Sequence, residues 1–319
     1  MKLSQNKQWD VAVVGNVGID TNLYFAGDPD FDVESNYTEN LDCVGQAVGY
    51  AARGFAQLGY RTTFIGYVGD DFGGRFIRKE FTRDGIDTAG LFIDPIGTGR
   101  SVNFMYKDGR RKNFYDGKAH MTLQPDLSKC RDILAKAAFV HFSIPNWARL
   151  LLPLAKELGL TISCDLQDVT NVFDPYRRDF LVASDILFFS TVNFDTPEQI
   201  ILTILNESPE KILIAGMGAR GCALGTKDGI RYFEAIDLPE PVIDSNGAGD
   251  GLAVGFTSSY VLENYSLQDS IWRGQITARW TCTQKSNSSN LMKKEMLDAV
   301  FRKQMQNNDF FISSEKSIR

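Results

Sequence analysis

Histidine is scarce in this sequence, with only His120 and His141 among its 319 residues. A histidine-based catalytic triad and a histidine-rich metal site are therefore disfavoured. Cysteine is also sparse. The five present are scattered, odd in number and never spaced as C-x-x-C, so the sequence predicts neither a disulfide framework nor a zinc site. Unpaired thiols fit a reducing compartment, and we expect the protein to be cytoplasmic.

Long apolar runs and an excess of positive charge are missing as well. No stretch approaches the roughly 18 uninterrupted apolar residues of a membrane-spanning helix, and the N-terminal MKLSQNKQWD lacks the apolar run of a signal peptide. The net charge of −6 provides no overall field that favours nucleic acid. We therefore expect neither a membrane nor a nucleic-acid partner. The composition is otherwise that of an ordinary globular protein.

Short apolar runs recur between helix-like segments. They are rich in Val, Ile and Phe and apolar on both faces, and they lie at 11–17, 62–69, 138–144, 160–166, 185–191 and 211–217. Helix-like segments precede several of them, such as AVGYAARGFAQLG before the second and WARLLLPLAKELG before the fourth. This alternation predicts a wound α/β sheet of mainly parallel strands. We expect one large domain over residues 1–319.

Two segments depart from this alternation. The stretch 92–118 contains the Gly-bearing turns IGTG and KDGR around the alternating SVNFMY, which predicts hairpins rather than a βα unit. A second irregular insert lies at 24–42. The two inserts are either unrelated surface excursions or the parts of a small sheet that covers a site.

The stretch VIDSNGAGDG at 242–251 precedes the apolar run LAVGFTSSYVLENY. If a helix begins near Gly249 or Asp250, the backbone amides of 247–250 lie at its N-terminus, where an anion is favoured. Glycine lets this backbone approach a phosphate closely. A carboxylate among such amides has a natural role in accepting a proton from an attacking hydroxyl. The alternative is that Asp250 only caps the helix, a contribution of about 1 kcal/mol.

Residues 43–77, which include VGDDFGG at 68–74, and DSNGAGDGLAVGF at 244–256 resemble the two signature regions of the ribokinase-like (PfkB) carbohydrate kinases. The resemblance covers nearly the whole chain, from GNVGID at 15–20 to the region around Lys285. It implies a three-layer α/β/α fold with a mainly parallel central sheet and a small β-sheet lid. It also implies ATP-dependent phosphorylation of a primary hydroxyl of a sugar, or of the sugar part of a nucleoside.

The resemblance assigns roles at the acceptor and phosphoryl end of the site. Asp250 matches the family's catalytic base, and Gly247, Ala248 and Gly249 match its anion hole. Asp20, five residues after Gly15, matches the acid that hydrogen-bonds the sugar hydroxyls, and a carboxylate can accept from two vicinal hydroxyls at once.

Further roles concern the nucleotide and the lid. Gly218 and Gly221, in GMGARGCAL, match a strand and turn whose backbone lies along the nucleotide, so ATP and Mg²⁺ are implied as cofactors. The inserts 24–42 and 92–118 match the lid, which covers the sugar and often pairs two subunits. Within the lid, Arg100 is either a substrate contact or an exposed structural arginine.

Three departures from the family pattern bear on substrate and metal. Gly45 is followed by Gln46 and, four residues later, Tyr50, where the family has a second glycine and an asparagine. This change reshapes the acceptor pocket and makes plain ribose or fructose a poorer expectation than a different or larger substrate. Tyr50 either stacks on a ring of the ligand or packs within its helix.

The other two departures lie near the phosphates. The family's N-x-x-E, which helps to order magnesium, reads Ser190-Thr191-Val192-Asn193, and Ser190 stays a candidate contact of ATP. A Gly-containing loop that helps to hold a monovalent cation in many relatives reads KSNSSN at 285–290. Because Ser and Asn offer oxygens, a K⁺ site near Asp244 and Ser286 stays open.

Two other functions compete with the kinase. The altered positions at 46, 50 and 190–193 are compatible with a catalytically weak or inactive protein that binds a sugar or nucleoside in a regulatory role. The intact GAGD favours the kinase. A nicotinamide dehydrogenase has little support, since GNVGID lacks the G-x-G-x-x-G spacing.

Overall fold

The computed structural model describes residues 7–107, 111–169, 171–286, 288, 290–307 and 312–316. The strands are β1 (Trp9–Val14), β2 (Gly18–Phe25), β3 (Thr38–Gly45), β4 (Thr62–Val68), β5 (Asp87–Ile93), β6 (Gly99–Met105), β7 (Arg111–Asp116), β8 (Ala137–Phe142), β9 (Thr161–Asp168), β10 (Ile186–Ser190), β11 (Ile212–Gly216), β12 (Cys222–Thr226), β13 (Gly229–Phe233) and β14 (Ile312–Lys316). The α-helices are α1 (Ala47–Gln57), α2 (Phe72–Arg83), α3 (Leu127–Leu134), α4 (Leu152–Glu157), α5 (Pro175–Ala183), α6 (Glu198–Glu207), α7 (Ala248–Thr257), α8 (Leu267–Thr281) and α9 (Lys294–Asn307).

The large sheet has the strand order β14-β13-β12-β11-β10-β9-β8-β1-β4-β5. Neighbours are parallel from β11 through to β5, whereas β12, β13 and β14 extend the sheet as antiparallel strands. Each of the six predicted apolar runs forms one of the parallel strands, so the predicted α/β class is confirmed. The first run ends as a strand at Val14 rather than at residue 17, because the chain turns at Gly15 and starts β2 at Gly18.

Hydrophobic layers cover both faces of this sheet. Along β1, Val11 and Val13 join one buried cluster, while Ala12 and Val14 join the other. Successive side chains of a strand point to opposite faces, so a strand covered by helices on both sides must be apolar at every position. This arrangement explains why the strand segments read as continuous apolar runs.

The small sheet has the order β3-β2-β6-β7, with β2 antiparallel to β3, β2 parallel to β6, and β6 antiparallel to β7. We call it the lid sheet. The two irregular inserts therefore pair, as the second alternative predicted, although their bounds need correction. The first lid segment begins at Gly18 and ends at Gly45 rather than spanning about 24–42, and residues 92–93 of the second belong to β5 of the large sheet.

Two further features concern exposure. All five cysteines are buried and unpaired. Within the part of the chain that the structure describes, no helix combines the length and the apolar character needed to cross a membrane.

Candidate active site

Asp20 lies on β2 of the lid sheet and is almost fully buried, with 4% of its surface exposed. Its carboxylate accepts from the backbone amide of Gln46 at 3.3 Å and from the side-chain amide of Asn246 at 3.3 Å. Burial raises the pKa of Asp20, while its hydrogen bonds oppose the rise. A Cβ on Gly45 would lie 2.0 Å from Cγ of Asp20, so this carboxylate occupies space that only glycine leaves open.

Asp250 lies in the first turn of α7, as the loop sequence predicted, with the helix beginning at Ala248. Burial raises the pKa of Asp250 well above its ordinary value, and the nearby carboxylates of Asp165 and Asp20 raise it further. The guanidinium of Arg111 opposes this rise. The carboxylate therefore has the raised proton affinity that suits a general base.

The three residues of the predicted anion hole differ in their surroundings. Gly247 has φ 78°, and a Cβ there would lie 2.6 Å from the Tyr50 ring. The amide of Ala248 donates to the Ser245 carbonyl at 3.2 Å, so that hydrogen is already engaged. Around Gly249, by contrast, no atom apart from its chain neighbours and the nearby backbone of α7 lies within 4 Å of a Cβ position. The open backbone at the helix N-terminus is therefore at Gly249.

Asn246 connects the loop to three other parts of the site. Its side-chain amide donates to Asp20 and also to the Tyr50 hydroxyl, the latter at 3.3 Å. Its side-chain oxygen accepts from Arg111 of β7. The loop, helix α1 and the lid sheet are thus joined through one buried side chain.

Tyr50 does not present its ring to a ligand. The side chain is 4% exposed, its ring packs beneath Gly247, and its hydroxyl lies 3.5 Å from Sγ of Cys43. Of the two interpretations of Tyr50, the structure supports packing within the helix. Its hydroxyl still acts on the site through Asn246.

Gln46 adopts φ 62° and ψ 156°, a backbone region that is nearly exclusive to glycine. The glycine of the family is replaced, yet a glycine-type backbone is retained. A Cβ on Gly18 or Gly99 would lie 2.4 or 2.9 Å from Nε2 of Gln46. These two glycines, which pair between β2 and β6, leave the space that the Gln46 side chain fills.

Arg100 is not brought to this group, and its contacts agree with the second interpretation, that of an exposed structural arginine. It donates to Thr21 and lies 3.4 Å from the Asp42 carboxylate. Residues along a strand alternate between faces, so Arg100 and Thr21 lie on the face of the lid sheet opposite to Asp20. The lid residue that supplies a guanidinium to the site is Arg111.

The nucleotide side was predicted at Gly218, Gly221 and Ser190. Gly218 has φ 60° and open space at its Cβ position, which suits a backbone that a ligand approaches. Gly221 has φ 90°, and a Cβ there would meet the Phe233 carbonyl at 2.0 Å, so strand packing alone requires this glycine. Ser190 ends β10, and its hydroxyl accepts from the amide of Val192 at 3.2 Å.

The described residues contain no group of three or more His, Cys, Asp or Glu side chains arranged to hold a metal ion. Mg²⁺ in phosphoryl-transfer sites is held mainly by phosphate oxygens and water, with one or two carboxylates. Asp165, within β9 and close enough to Asp250 to raise its pKa, offers one such carboxylate. The residues present therefore fit a magnesium ion that arrives with a nucleotide.

A comparison with known protein families gives a match that extends over most of the chain. The family described as pfkB family carbohydrate kinase matches residues 49–294, more than half of the chain. The chain is a PfkB family carbohydrate kinase. This family membership confirms the resemblance found in the sequence.

Named relatives of this PfkB kinase are themselves kinases. It is 28% identical over 280 residues to an acarbose 7(IV)-phosphotransferase of Actinoplanes sp., an alignment that covers 86% of this chain and 92% of the relative. It is 23% identical over 332 residues to a 5-dehydro-2-deoxygluconokinase of Clostridium perfringens, with 95% and 96% covered.

Solved structures similar to this PfkB kinase agree with the fold. A microbiome-derived acarbose kinase, Mak1, superposes with a TM-score of 0.85 at 27% identity over 92% of this chain and 99% of that one. The ribokinase of Arabidopsis thaliana, solved with ribose and ATP, gives a TM-score of 0.78 at 19% identity over 92% and 99%. The ribokinase-like fold is therefore confirmed.

Three site residues of this PfkB kinase were missed by sequence reasoning. Arg111, Asn246 and Asp165 were not predicted, because none of them carries a signal of its own in the sequence. Asp165 has its Oδ1 2.8 Å from the amide of Gln167, whose φ is 59°. An acid among the last residues of an apolar run, toward the carboxyl edge of a parallel sheet, is the pattern that would have identified Asp165.

Proposed function

We propose that this kinase transfers the γ-phosphoryl group of ATP to a primary hydroxyl of a sugar, with Asp250 as the general base. The proposal rests on one observation: the carboxylates of Asp20 and Asp250 lie in the same site, and burial raises the pKa of each. One carboxylate holds acceptor hydroxyls and the other accepts a proton. ATP supplies the phosphoryl group, and Mg²⁺ offsets the charge of the phosphates.

The acceptor O–H proton passes to the Asp250 carboxylate while a bond forms between the acceptor oxygen and the γ-phosphorus. The bond from that phosphorus to the β–γ bridging oxygen breaks, and ADP leaves with its electron pair. The guanidinium of Arg111 adds positive charge beside Asp250 at the point where negative charge accumulates.

A sugar is favoured over a nucleoside as the acceptor. The Tyr50 ring, which would have been the platform for a base, is buried beneath Gly247. The relatives named for acarbose phosphorylation support a glycoside larger than a monosaccharide. The occupied position at Gln46 agrees with a pocket reshaped away from ribose.

An acceptor screen with ADP release as the readout tests the proposal. The panel is acarbose, maltotriose, 5-dehydro-2-deoxygluconate, fructose, ribose and adenosine, each with Mg²⁺ and ATP. Asp250→Asn is expected to lower kcat on the best acceptor by at least about 100-fold, the lower edge of a general-base contribution. A smaller loss contradicts the role of Asp250. Calorimetric binding of an acceptor without ADP release favours the regulatory binding protein instead.

We also propose that two copies pair through the face of the lid sheet opposite Asp20. Aromatic residues gather there: the ring centroids of Phe25 and Phe104 lie 5.4 Å apart, and Phe31 and Phe114 are 71% and 50% exposed. An apolar patch of this kind on a sheet face supports a partner surface. Light scattering should give a dimer mass for the native chain and a monomer mass for Phe104→Asp. A monomeric native chain contradicts the proposal.

A further inference from the structure

Asp244 is the first acid of the DSNGAGD segment, and its carboxylate is surrounded by hydrogen-bond donors. Oδ2 accepts from the Tyr24 hydroxyl at 2.6 Å and from the Ser286 backbone amide at 3.1 Å. Oδ1 accepts from the backbone amide of Asn246 at 2.8 Å. Each carboxylate oxygen has two acceptor positions, so Tyr24 and Ser286 fill those of Oδ2, while Oδ1 accepts one donor.

Of these donors, Tyr24 lies farthest from Asp244 in the sequence. It lies on β2, so its contact with Asp244 joins the lid sheet directly to the phosphoryl-transfer loop. Burial and the neighbouring carboxylate of Asp244 raise the pKa of Tyr24, which therefore keeps the proton it donates. The hydroxyls of Tyr24 and Ser286 are also in contact.

A positive charge of the chain itself lies beside this group. The ammonium of Lys285 is 4.8 Å from the centre of the Tyr24 ring, and it forms an ion pair with Glu39 of β3. An ammonium over an aromatic face is attracted to the ring, which helps to hold Tyr24 in place. Lys285 and Ser286 belong to the KSNSSN segment, which differs from the Gly-containing loop of many relatives.

The sequence leaves open a monovalent cation site near Asp244 and Ser286. A hard cation binds through oxygen atoms with free lone pairs. The Asp244 carboxylate is 3% exposed, and donors from Tyr24, Ser286 and Asn246 already engage both of its oxygens. Oδ2, the oxygen that faces Tyr24 and Ser286, therefore has no free lone pair for a cation.

We propose that the Tyr24 hydroxyl takes the place of the monovalent cation at Asp244, so that the chain holds its phosphoryl-transfer loop without potassium. Tyr24 is then a positioning residue that acts through Asp244 on the adjacent Asn246. The loop is fixed by the lid instead of by an ion. The part of this inference that concerns turnover rests on the proposed function.

Thermal unfolding tests the inference without any acceptor. The native chain, Tyr24→Phe and the control Tyr37→Phe are melted in KCl and in choline chloride at equal ionic strength. Tyr37 is 96% exposed in the connection between β2 and β3, so its hydroxyl is a matched control. We expect the same Tm in both salts for the native chain and the control. Tyr24→Phe should melt lower in choline and regain part of the loss in KCl, because a bound ion stabilises the folded state.

Two melting results overturn the inference. A Tm of the native chain that rises specifically in KCl shows that an ion binds beside Tyr24. If Tyr24→Phe melts at the same temperature as the control in both salts, the Tyr24 hydroxyl does not take the place of a cation.

Turnover supplies a second readout on the acceptor found by the screen. The turnover rate of the native enzyme should differ by less than about twofold between the two salts. The rate of Tyr24→Phe should fall at least about fivefold in choline chloride and recover in KCl. A fivefold change is the lower end of the usual coupling between two sites. Strong activation of the native enzyme by potassium overturns the inference. If no acceptor is phosphorylated, the proposed function fails while the melting curves still decide the cation question.

Discussion

The side-chain amide of Asn246 lies 3.3 Å from a carboxylate oxygen of Asp20, although 226 positions separate them in sequence. The same amide reaches the Tyr50 hydroxyl, and the side-chain oxygen of Asn246 accepts from Arg111. The acceptor end of the site is therefore held to the phosphoryl-transfer loop by one residue that belongs to that loop.

Asn246→Ala should weaken acceptor binding more than it slows chemistry. The substitution removes a hydrogen bond to a buried carboxylate, and the loss of such a bond corresponds to roughly a tenfold or larger rise in KM of the acceptor. Steady-state kinetics with varied acceptor at saturating ATP measure the effect. Ser245→Ala, in an exposed neighbour of the same loop, is the control. An unchanged KM in Asn246→Ala would show that the contact is only structural.

Gly249→Ala should separate stability from catalysis. Apart from the chain neighbours and the nearby backbone of α7, no protein atom lies within 4 Å of the added Cβ. Alanine is favoured over glycine in a helix by about 1 kcal/mol, so Tm should hold or rise. The methyl group should nevertheless obstruct a phosphate and lower kcat/KM for ATP at least about tenfold. Gly247→Ala, with φ 78° and the Tyr50 ring 2.6 Å away, should lower Tm instead. Full activity in Gly249→Ala would contradict the open backbone as the anion site.

Asp165→Asn should stabilise the protein in a pH-dependent way. Burial raises the pKa of Asp165 from an ordinary 3.8 to about 6, so the folded state binds a proton more tightly than the unfolded state. The contribution of Asp165 to the free energy of unfolding therefore falls as pH rises from about 4 to about 6. The gain in Tm from Asp165→Asn should be small near pH 4 and reach its full size above pH 6, as measured by thermal melts across that range.

The same variant should change the pH dependence of activity. The Asp165 carboxylate contributes to the raised pKa of Asp250, and its removal lowers that pKa. The acidic limb of the kcat/KM profile should consequently move to lower pH in Asp165→Asn. Arg111→Gln should move the limb the other way, since the guanidinium lowers the pKa of Asp250. Identical profiles in both variants and the native enzyme would exclude Asp250 as the group that titrates.

Gln46→Gly should raise stability and alter acceptor preference together. Glycine adopts φ 62° and ψ 156° without the steric cost of a side chain, which is of the order of 1 kcal/mol or more. The substitution also restores the second glycine that the family has after Gly45, so ribose should gain relative to acarbose. The measurements are Tm and the ratio of kcat/KM for ribose and acarbose.

Asn264→Gly is the matched control for Gln46→Gly. Asn264 is exposed and has φ 58°, but it lies at the end of the segment that follows α7. Its substitution should leave the acceptor ratio unchanged. If Gln46→Gly raises Tm without any change in that ratio, Gln46 fills space and does not select the acceptor.

The central sheet was predictable because buried parallel strands are apolar at every position. That pattern identified β1, β4, β8, β9, β10 and β11. The more polar β5 escaped recognition, since Asp87 and Thr88 interrupt its apolar character. The start of α7 was also predictable, because glycine-rich loops before an apolar helical run have few other interpretations.

The partners within the site were not predictable in the same way. Arg100 and Arg111 both lie on lid strands, and only the register of β6 and β7 decides which one shares a face with Asp20. A side-chain period of two makes that choice depend on a single position. Contacts such as Asn246 with Asp20 join opposite ends of the sequence, and no local pattern records them.

The five buried, unpaired thiols make this protein a natural subject for labelling experiments. Burial raises the pKa of Cys43 to about 12, so little reactive thiolate forms at neutral pH while the lid sheet stays in place. Cys43 also lies 3.5 Å from the Tyr50 hydroxyl, inside the acceptor end of the site. Modification of Cys43 by an alkylating reagent would then record how often this end opens, and a bound sugar should slow the reaction.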